Sequence, residues 1–198
     1  MLIGLTGGIG SGKSTIAQQL RAMGYPVYDT DSQAKRLIQS DPHVREQITA
    51  LFGTEVYQDG VYQTALVAQR VFADPVLLSR LNAIVHPAVR ADILRWSSSL
   101  TSLPNNLIAS SPHRLSGESE GAPIAFIECA ILYQAGFDTL CDKVVAVTAP
   151  EDIRLARAVA RDHSTIEKVR SRMQAQATEQ DRLRANIIIN NDKLHQIQ

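Results

Sequence analysis

The chain lacks an excess of charge of either sign. Its 20 lysines and arginines are matched by 20 aspartates and glutamates among 198 residues, so the formal net charge is zero. A neutral chain lacks the basic footprint of a nucleic-acid-binding protein and the polybasic anchor of a membrane-surface protein. We therefore expect neither nucleic acid nor a membrane as a partner.

Cysteines and long apolar runs are also scarce. The chain has two cysteines, Cys129 and Cys141, which are too far apart for a C-x-x-C redox motif and too few for a zinc site. No apolar run reaches the ~20 residues of a membrane-spanning helix. The chain begins with the apolar residues 2–5 and shows no basic signal-peptide region. These absences favour a cytoplasmic protein, and the length suits one domain that contains an insertion.

Short apolar runs alternate with amphipathic segments. Runs of strand length occur at residues 1–5, 27–28, 124–128, 143–148 and 186–189. The segment 14–23 has apolar residues at helical spacing, ends at Gly24 and is followed by Pro26. Near-continuous apolar strands that alternate with helices predict an α/β fold, with a parallel sheet flanked by helices on both faces.

Two long stretches separate the predicted strands. Residues 33–96 have a helical pattern that polar breaks interrupt at Asp41-Pro42, Asp59-Gly60 and Asp74-Pro75. His86-Pro87 predicts the start of a further helix, with Pro87 at its first position. Residues 97–123 are rich in serine, proline and asparagine, and we expect them to form a long surface loop inserted into the domain.

The most specific motif follows the first predicted strand. Residues 7–14, Gly-Gly-Ile-Gly-Ser-Gly-Lys-Ser, fit the phosphate-loop pattern G-x-x-x-x-G-K-[ST] between a strand and a helix. Glycines let the backbone curl around phosphate oxygens, and the helix N-terminus adds a positive dipole. Lys13 can reach the β- and γ-phosphates, and the Ser14 hydroxyl can ligate Mg²⁺. The predicted nucleotide-binding residues are Gly8, Gly10, Ser11, Gly12, Lys13, Ser14 and Thr15.

The remaining motifs narrow the class of nucleotide-binding protein. A GTPase needs D-x-x-G and N-K-x-D, yet no aspartate has a glycine three places on and no asparagine precedes a lysine. That leaves a small-molecule kinase or an ATPase module, with ATP as the nucleotide. The length leaves little room for a large assembly-type ATPase domain.

Asp29 and Asp31 follow the second predicted strand. Ligands of open α/β sheets bind at the carboxyl ends of strands, and alternation in an extended segment would point both side chains the same way. One aspartate could accept a proton from an attacking hydroxyl while the other orders Mg²⁺-bound water. The alternative is that Asp31 or Ser32 merely caps the next helix.

Three arginines, Arg154, Arg157 and Arg161, lie on a charged helical segment after the fourth strand. Arg157 and Arg161 are four residues apart and can project from one face, as in a lid that brings guanidinium groups over a transferring phosphate. On spacing alone, a solvated face explains them better. Its acidic partners would be Glu151, Asp152 and Asp162.

Together these segments resemble the dephospho-CoA kinase family. The resemblance rests on residues 4–15, Asp29-Thr30-Asp31, residues 81–87 with Val89-Arg90, the R-x-x-x-R-D pattern at 157–162, and the glutamine-bearing segment 172–176. It covers most of residues 1–96 and 124–191. The combination is far more specific than any one motif.

The resemblance implies a P-loop NTPase fold within one kinase domain spanning 1–198. That domain would have a five-stranded parallel sheet, a helical CoA-binding insertion at about 33–96 and a lid at about 151–180. The implied reaction moves the ATP γ-phosphate to the ribose 3′-hydroxyl of dephospho-CoA, the last step of coenzyme A synthesis.

The family's functional residues carry over to positions of this chain. By this carry-over Asp31 is the general base, and Lys13, Arg157 and Arg161 assist catalysis at the phosphates. The remaining carried-over residues contact substrate and are Asp29, His86 and Arg90. For His86 and Arg90 the alternative is a helix start and a solvated arginine.

The chain departs from the family at several positions. Gln134 ends a run in which the family has glutamate, and Asn186 stands where aspartate is usual. Other readings are a kinase similar to shikimate kinase or to nucleoside-monophosphate kinases, or a non-catalytic nucleotide-binding regulator. Shikimate kinase would need a second Gly-Gly pair, and Gly7-Gly8 is the only such pair here.

Overall fold

The computed structural model describes residues 1–101, 124–174 and 183–192. The chain divides into two compact units. The first consists of Met1–Asp29 and Ser99–Gln198, and the second of Thr30–Ser98. The first unit contains a parallel sheet, and the second is mainly helical.

The first unit is built on a sheet of five strands. They are β1 (Leu2–Gly7), β2 (Val27–Asp29), β5 (Ala125–Glu128), β6 (Lys143–Thr148) and β7 (Ile187–Asn190). Their order is β2-β5-β1-β6-β7, and each neighbouring pair is parallel. The prediction of a five-stranded parallel sheet is confirmed.

Strand register places acidic residues side by side at the carboxyl ends of β5 and β2. Glu128 of β5 lies opposite Leu5 of β1 on one side and opposite Asp29 of β2 on the other. In an open parallel sheet this edge is where ligands bind. The register therefore places two acidic residues beside the point where β1 leads into the glycine-rich loop.

Helix α1 (Lys13–Ala22) is packed against this sheet. Ala17 of the helix lies in one core cluster with strand residues Leu5, Val145 and Val147, and other apolar side chains pack around them. Burial of each large apolar side chain contributes about 1.5–3 kcal/mol. This packing fixes where α1 begins, directly after the glycine-rich loop.

Two helices follow β6 in the region predicted to be a lid. They are α6 (Glu151–Asp162) and α7 (Ile166–Gln174), and His163 separates them with a left-handed φ of 47°. The helical character predicted for this region is confirmed, and residues 175–180 of the predicted lid lie outside the described residues.

Asn186, the residue directly before β7, is hydrogen-bonded to strand β6. Its Oδ1 accepts a hydrogen bond from the Val144 amide at 2.8 Å, and its own amide donates to the Val144 carbonyl at 2.9 Å. An aspartate could accept the same bond. The departure from the family pattern at this position therefore preserves a structural contact.

This contact gives a stability prediction. We expect Asn186→Asp to unfold at nearly the same denaturant midpoint as the parent. Asn186→Leu leaves the Val144 amide without its acceptor and is expected to lose about 1–2 kcal/mol. Equilibrium urea unfolding measures both variants. A greater loss for the aspartate variant than for the leucine variant would contradict the assignment.

The second unit contains helices and a short hairpin. Its elements are α2 (Thr30–Ser40), α3 (Pro42–Phe52), β3 (Tyr57–Gln58), β4 (Val61–Tyr62), α4 (Thr64–Ala73) and most of α5 (Pro75–Thr101). Asp41 caps α3 by accepting hydrogen bonds from the amides of His43 and Val44. Asp59-Gly60 turns the antiparallel β3–β4 hairpin, as its sequence indicates.

Helix α5 corrects two predictions. It is 27 residues long and contains Pro87, so no helix begins at His86-Pro87. Val85, Val89 and Ile93 form a buried stripe at four-residue spacing, which holds the helix together through the proline. Pro87 is exposed, and so is Ala83, whose carbonyl loses its helical donor there.

The same helix shortens the predicted surface loop. Residues 97–101 are helical, so the loop does not begin at residue 97. The rest of that segment, residues 102–123, lies outside the described residues. Within residues 1–101, 124–174 and 183–192, no helix combines the length and apolarity that crossing a bilayer would need.

Candidate active site

The glycine-rich loop connects β1 to α1. The Ser11 amide donates to the Gly8 carbonyl at 3.1 Å, and Gly10 and Gly12 have left-handed φ angles of 75° and 91°. Glycine adopts these angles without strain. The first amides of α1 have no acceptor within the helix and carry its positive dipole end. The predicted strand–loop–helix context is confirmed, and it suits an anion.

Gly10 lies directly against helix α6. A Cβ atom at this position would overlap the backbone carbonyl of Arg154. The contact is between two main chains, so no side chain can move to relieve it. The tip of the loop is therefore packed on the first turn of α6.

Ser11 has a fully buried side chain with an unsatisfied hydroxyl. Its exposure is 0%, and its Oγ has no hydrogen-bond partner among the described residues. Such a group costs about 1–3 kcal/mol when it stays unpaired. The hydroxyl is enclosed by protein atoms near Gly7 and Val147, so the fit of the loop to a phosphate rests on its backbone.

Glu128 is the centre of a polar cluster beside the loop. The residue is 5% exposed, and its Oε1 accepts hydrogen bonds from Lys13 Nζ at 2.7 Å and from Ser14 Oγ at 2.8 Å. Its Oε2 pairs with Arg21 Nη2 at 3.3 Å. A buried carboxylate is costly unless it is paired, and here two cations and a hydroxyl surround it. The cluster holds Lys13 and Ser14 in defined orientations.

Sequence reasoning found Lys13 and Ser14 but missed Glu128. The apolar pattern of residues 124–128 indicates a strand and assigns no role to its last residue. The available signal was an acidic side chain at the last position of such a strand, at the edge where ligands bind. Gln134, where the family has a glutamate, is exposed in the turn after β5.

The oxygen atoms of Ser14 and Glu128 form a donor set that suits Mg²⁺. This ion commonly takes one or two protein oxygens and completes its shell with phosphate and water. Across the described part of the chain, no group of three or more His, Cys, Asp and Glu forms a dedicated metal cage. The residues present therefore fit a magnesium ion that arrives with a nucleotide.

Asp29 and Asp31 lie on different elements. Asp29 ends β2 and is partly buried, whereas Asp31 is exposed in the first turn of α2. The expectation that extended backbone points both side chains the same way is wrong, because the helix begins at Thr30. The helix begins earlier than the capping alternative assumed, so the residue directly before it is Asp29, and Asp31 and Ser32 lie in its first turn.

Arg157 and Arg161 both lie on α6, as predicted. Arg157 Nη1 donates to the Asn191 carbonyl at 2.9 Å. Arg161 makes two hydrogen bonds to Asp162, at 2.7 and 3.2 Å, and Arg172 of α7 adds a third at 2.8 Å. The bonds from Arg161 and Arg172 lower the pKa of Asp162 to about 2. Arg161 thus has one of the acidic partners that a solvated face predicts.

His86 and Arg90 lie one turn apart on α5 in the second unit. Both are partly buried and flank the apolar stripe of that helix. Burial lowers the pKa of His86, which favours the neutral form of its ring. The continuous helix places both side chains on the same face, which the predicted break at Pro87 concealed.

Comparison with known proteins identifies the family. A family model described as dephospho-CoA kinase matches residues 1–196. A relative named dephospho-CoA kinase from Porphyromonas gingivalis is 40% identical over 183 residues, which cover 92% of this chain and 81% of the relative. One of the same name from Bacteroides fragilis is 35% identical over 191 residues, covering 96% and 84%.

Solved structures share the fold. A crystal structure from Thermus thermophilus has a TM-score of 0.74 at 33% identity, covering 96% of this chain and 88% of that one. A dephospho-CoA kinase from Campylobacter jejuni has a TM-score of 0.61 at 21% identity with the same coverage, and it supports the fold. Given the match of the family model along nearly its whole length, the chain belongs to the dephospho-CoA kinase family.

Proposed function

We propose how the residues of this chain divide the work of its family's reaction. The chain transfers the γ-phosphate of ATP to the ribose 3′-hydroxyl of dephospho-CoA, which yields coenzyme A. A bond forms between the ribose oxygen and the γ-phosphorus, and the bond to the β-phosphate oxygen breaks. The observation that supports the assignment best is the Lys13–Glu128–Ser14 cluster beside a glycine-rich loop of the correct shape.

The loop binds the phosphates of ATP. The loop amides donate to phosphate oxygens, apart from those of Ser11 and Thr15, which donate to the Gly8 and Gly12 carbonyls. Lys13 is held by Glu128 at the loop and reaches from there to the β- and γ-phosphates. Since the loop backbone and Lys13 are already oriented, little ordering is needed when the nucleotide binds.

Ser14 and Glu128 would hold Mg²⁺. When bound, the ion supplies positive charge that offsets the charge of the phosphate oxygens. The Ser14 hydroxyl donates to Glu128 Oε1 at 2.8 Å, so the two oxygens lie next to each other. Lys13 and Arg21 pair with Glu128, which offsets the cost of burying this carboxylate.

Asp31 acts as the general base. Its exposed carboxylate in the first turn of α2 accepts the proton of the ribose 3′-hydroxyl as that oxygen attacks. Asp29, one residue before that helix, contacts the substrate and orders the segment. Phosphoryl transfer depends more on the placement of such a group than on its basicity.

The remaining site residues contact the phosphates or the substrate. Arg157 and Arg161 stabilise the transferring phosphate from α6. His86 and Arg90 bind dephospho-CoA from the second unit, where a neutral imidazole offers a hydrogen bond and a guanidinium pairs with an anionic group. Residues 33–96 are in this view the substrate-binding insertion. The cytoplasmic location stays a prediction.

The proposed function is tested by offering the protein alternative phosphoryl acceptors. Purified chain with ATP and Mg²⁺ is offered dephospho-CoA, shikimate or nucleoside monophosphates, and ADP release and product mass are measured. We expect turnover with dephospho-CoA and none with its 3′-deoxy analogue, which lacks the attacking hydroxyl. Turnover of shikimate or of a monophosphate would favour the rival kinases. ATP binding without turnover of any acceptor would favour a regulator.

A further inference from the structure

Asn191, the residue after β7, makes hydrogen bonds to three different elements. Its amide donates to the Thr148 carbonyl at the end of β6 at 2.7 Å, and its side-chain Nδ2 donates to the Ser11 carbonyl at 2.8 Å. Its own carbonyl accepts from Arg157 Nη1 at 2.9 Å. The residue is 8% exposed, so these hydrogen bonds are shielded from water.

The bond to Ser11 fixes one peptide plane of the glycine-rich loop. The Ser11 carbonyl and the Gly12 amide belong to the same planar, trans peptide, so they point in opposite directions. Holding the carbonyl towards Asn191 therefore turns the Gly12 N–H away from it. Gly12 has a φ of 91°, and a peptide next to glycine rotates easily unless something holds it.

The bond from Arg157 connects the same residue to α6. This helix already contacts the loop through Gly10 and the Arg154 carbonyl, one turn before Arg157. The loop and the helix are thus connected twice, by the direct contact of Gly10 with Arg154 and by the hydrogen bonds through Asn191. A shift of the loop at Ser11 displaces the acceptor of Arg157, and a shift of α6 displaces the donor to Ser11.

We propose that Asn191 is a positioning residue that sets the Gly12 amide for phosphate binding and, through the same residue, the placement of Arg157. The role of Arg157 rests on the proposed function. The hold on Ser11 does not, because it concerns nucleotide binding alone. Asn191 itself touches no substrate in this account.

The first test removes the side-chain donor. We expect Asn191→Ala to weaken ADP binding and raise the KM for ATP by about fivefold to thirtyfold, with the KM for dephospho-CoA unchanged within about twofold. Calorimetry gives the ADP affinity, and initial rates give the KM values. Asn190→Ala is the matched control, because it removes a neighbouring exposed asparagine side chain.

The second test restores the donor by protonation. In Asn191→Asp a carboxylate faces the Ser11 carbonyl and cannot donate to it, whereas the protonated acid can. We expect ADP affinity of this variant to recover as pH falls towards the range in which the acid is protonated. The parent and Asn191→Ala are expected to lack this rise. A role in stability alone would not produce a pH-dependent recovery of binding.

The third test measures the energetic coupling between Asn191 and Arg157. We expect Arg157→Met to raise the KM for ATP by a smaller factor in the Asn191→Ala background than in the parent, with the two effects differing by about threefold or more. Equal factors would show that Arg157 and Asn191 act independently and would overturn the coupling.

A lowered Tm with normal ADP affinity in Asn191→Ala would overturn the positioning role. ADP binding needs no acceptor, so failure of the proposed reaction is detected separately.

Discussion

Replacing Asp31 by asparagine is expected to leave ATP binding intact and to lower turnover of dephospho-CoA by about 10²–10⁴, the usual contribution of a general base. The amide keeps the shape of the side chain but cannot take the proton of the attacking hydroxyl. Asp31 is exposed, so the change should not disturb packing. The measurements are kcat from a coupled assay and ATP affinity from calorimetry.

Two further variants isolate this effect. Asp41→Asn makes the same chemical change in the same unit, where asparagine caps α3 as well as aspartate does, so we expect parental activity. Asp29→Asn is expected to act mainly on the KM for dephospho-CoA. If Asp29→Asn lost turnover and Asp31→Asn kept a near-normal rate, the base would be Asp29 instead.

Replacing Glu128 by glutamine is expected to lower kcat/KM for Mg²⁺–ATP by about 10²-fold, from the loss of one charge-assisted contact to a cation. Glutamine has nearly the same shape and still accepts a bond from Ser14. Lys13 loses its anionic partner and stays free to bind phosphate. We therefore expect ATP affinity without Mg²⁺ to stay equal or to rise, as calorimetry with a chelator would show.

Asp142→Asn is the matched control for Glu128→Gln. Asp142 is exposed at the other end of the sheet and accepts a hydrogen bond from the Leu2 amide, which asparagine can also accept. We expect it to leave the activity unchanged. If Glu128→Gln proves unstable, Glu128→Asp retains the charge with a shorter reach. Unaltered dependence on Mg²⁺ in both Glu128 variants would exclude the carboxylate as a ligand.

The sequence predicted those parts of the site whose residues lie close together along the chain. The glycine-rich loop, Lys13 and Ser14 follow a short motif, and the flanking strand and helix have clear apolar periods. Arg157 and Arg161 lie on one helix because a four-residue spacing indicates it. In each case the backbone interactions that decide the structure are local.

Contacts between distant segments could not be predicted in this way. Glu128 pairs with Lys13 across 115 residues, and Asn191 reaches Ser11 across 180. Neither pairing leaves a trace in the periodicity of a single strand. The same holds for Pro87, which local rules place at a helix start, while burial of the stripe on α5 keeps the helix intact.

The main-chain contact between Gly10 and Arg154 has a consequence for sequence variation. A boundary made by two backbones cannot be repacked by exchanging side chains, so it behaves as a fixed spacer. In a saturation library we expect position 10 to reject even alanine. Suppressors of such a change should arise at positions that shift the start of α6, rather than among the side chains of the loop.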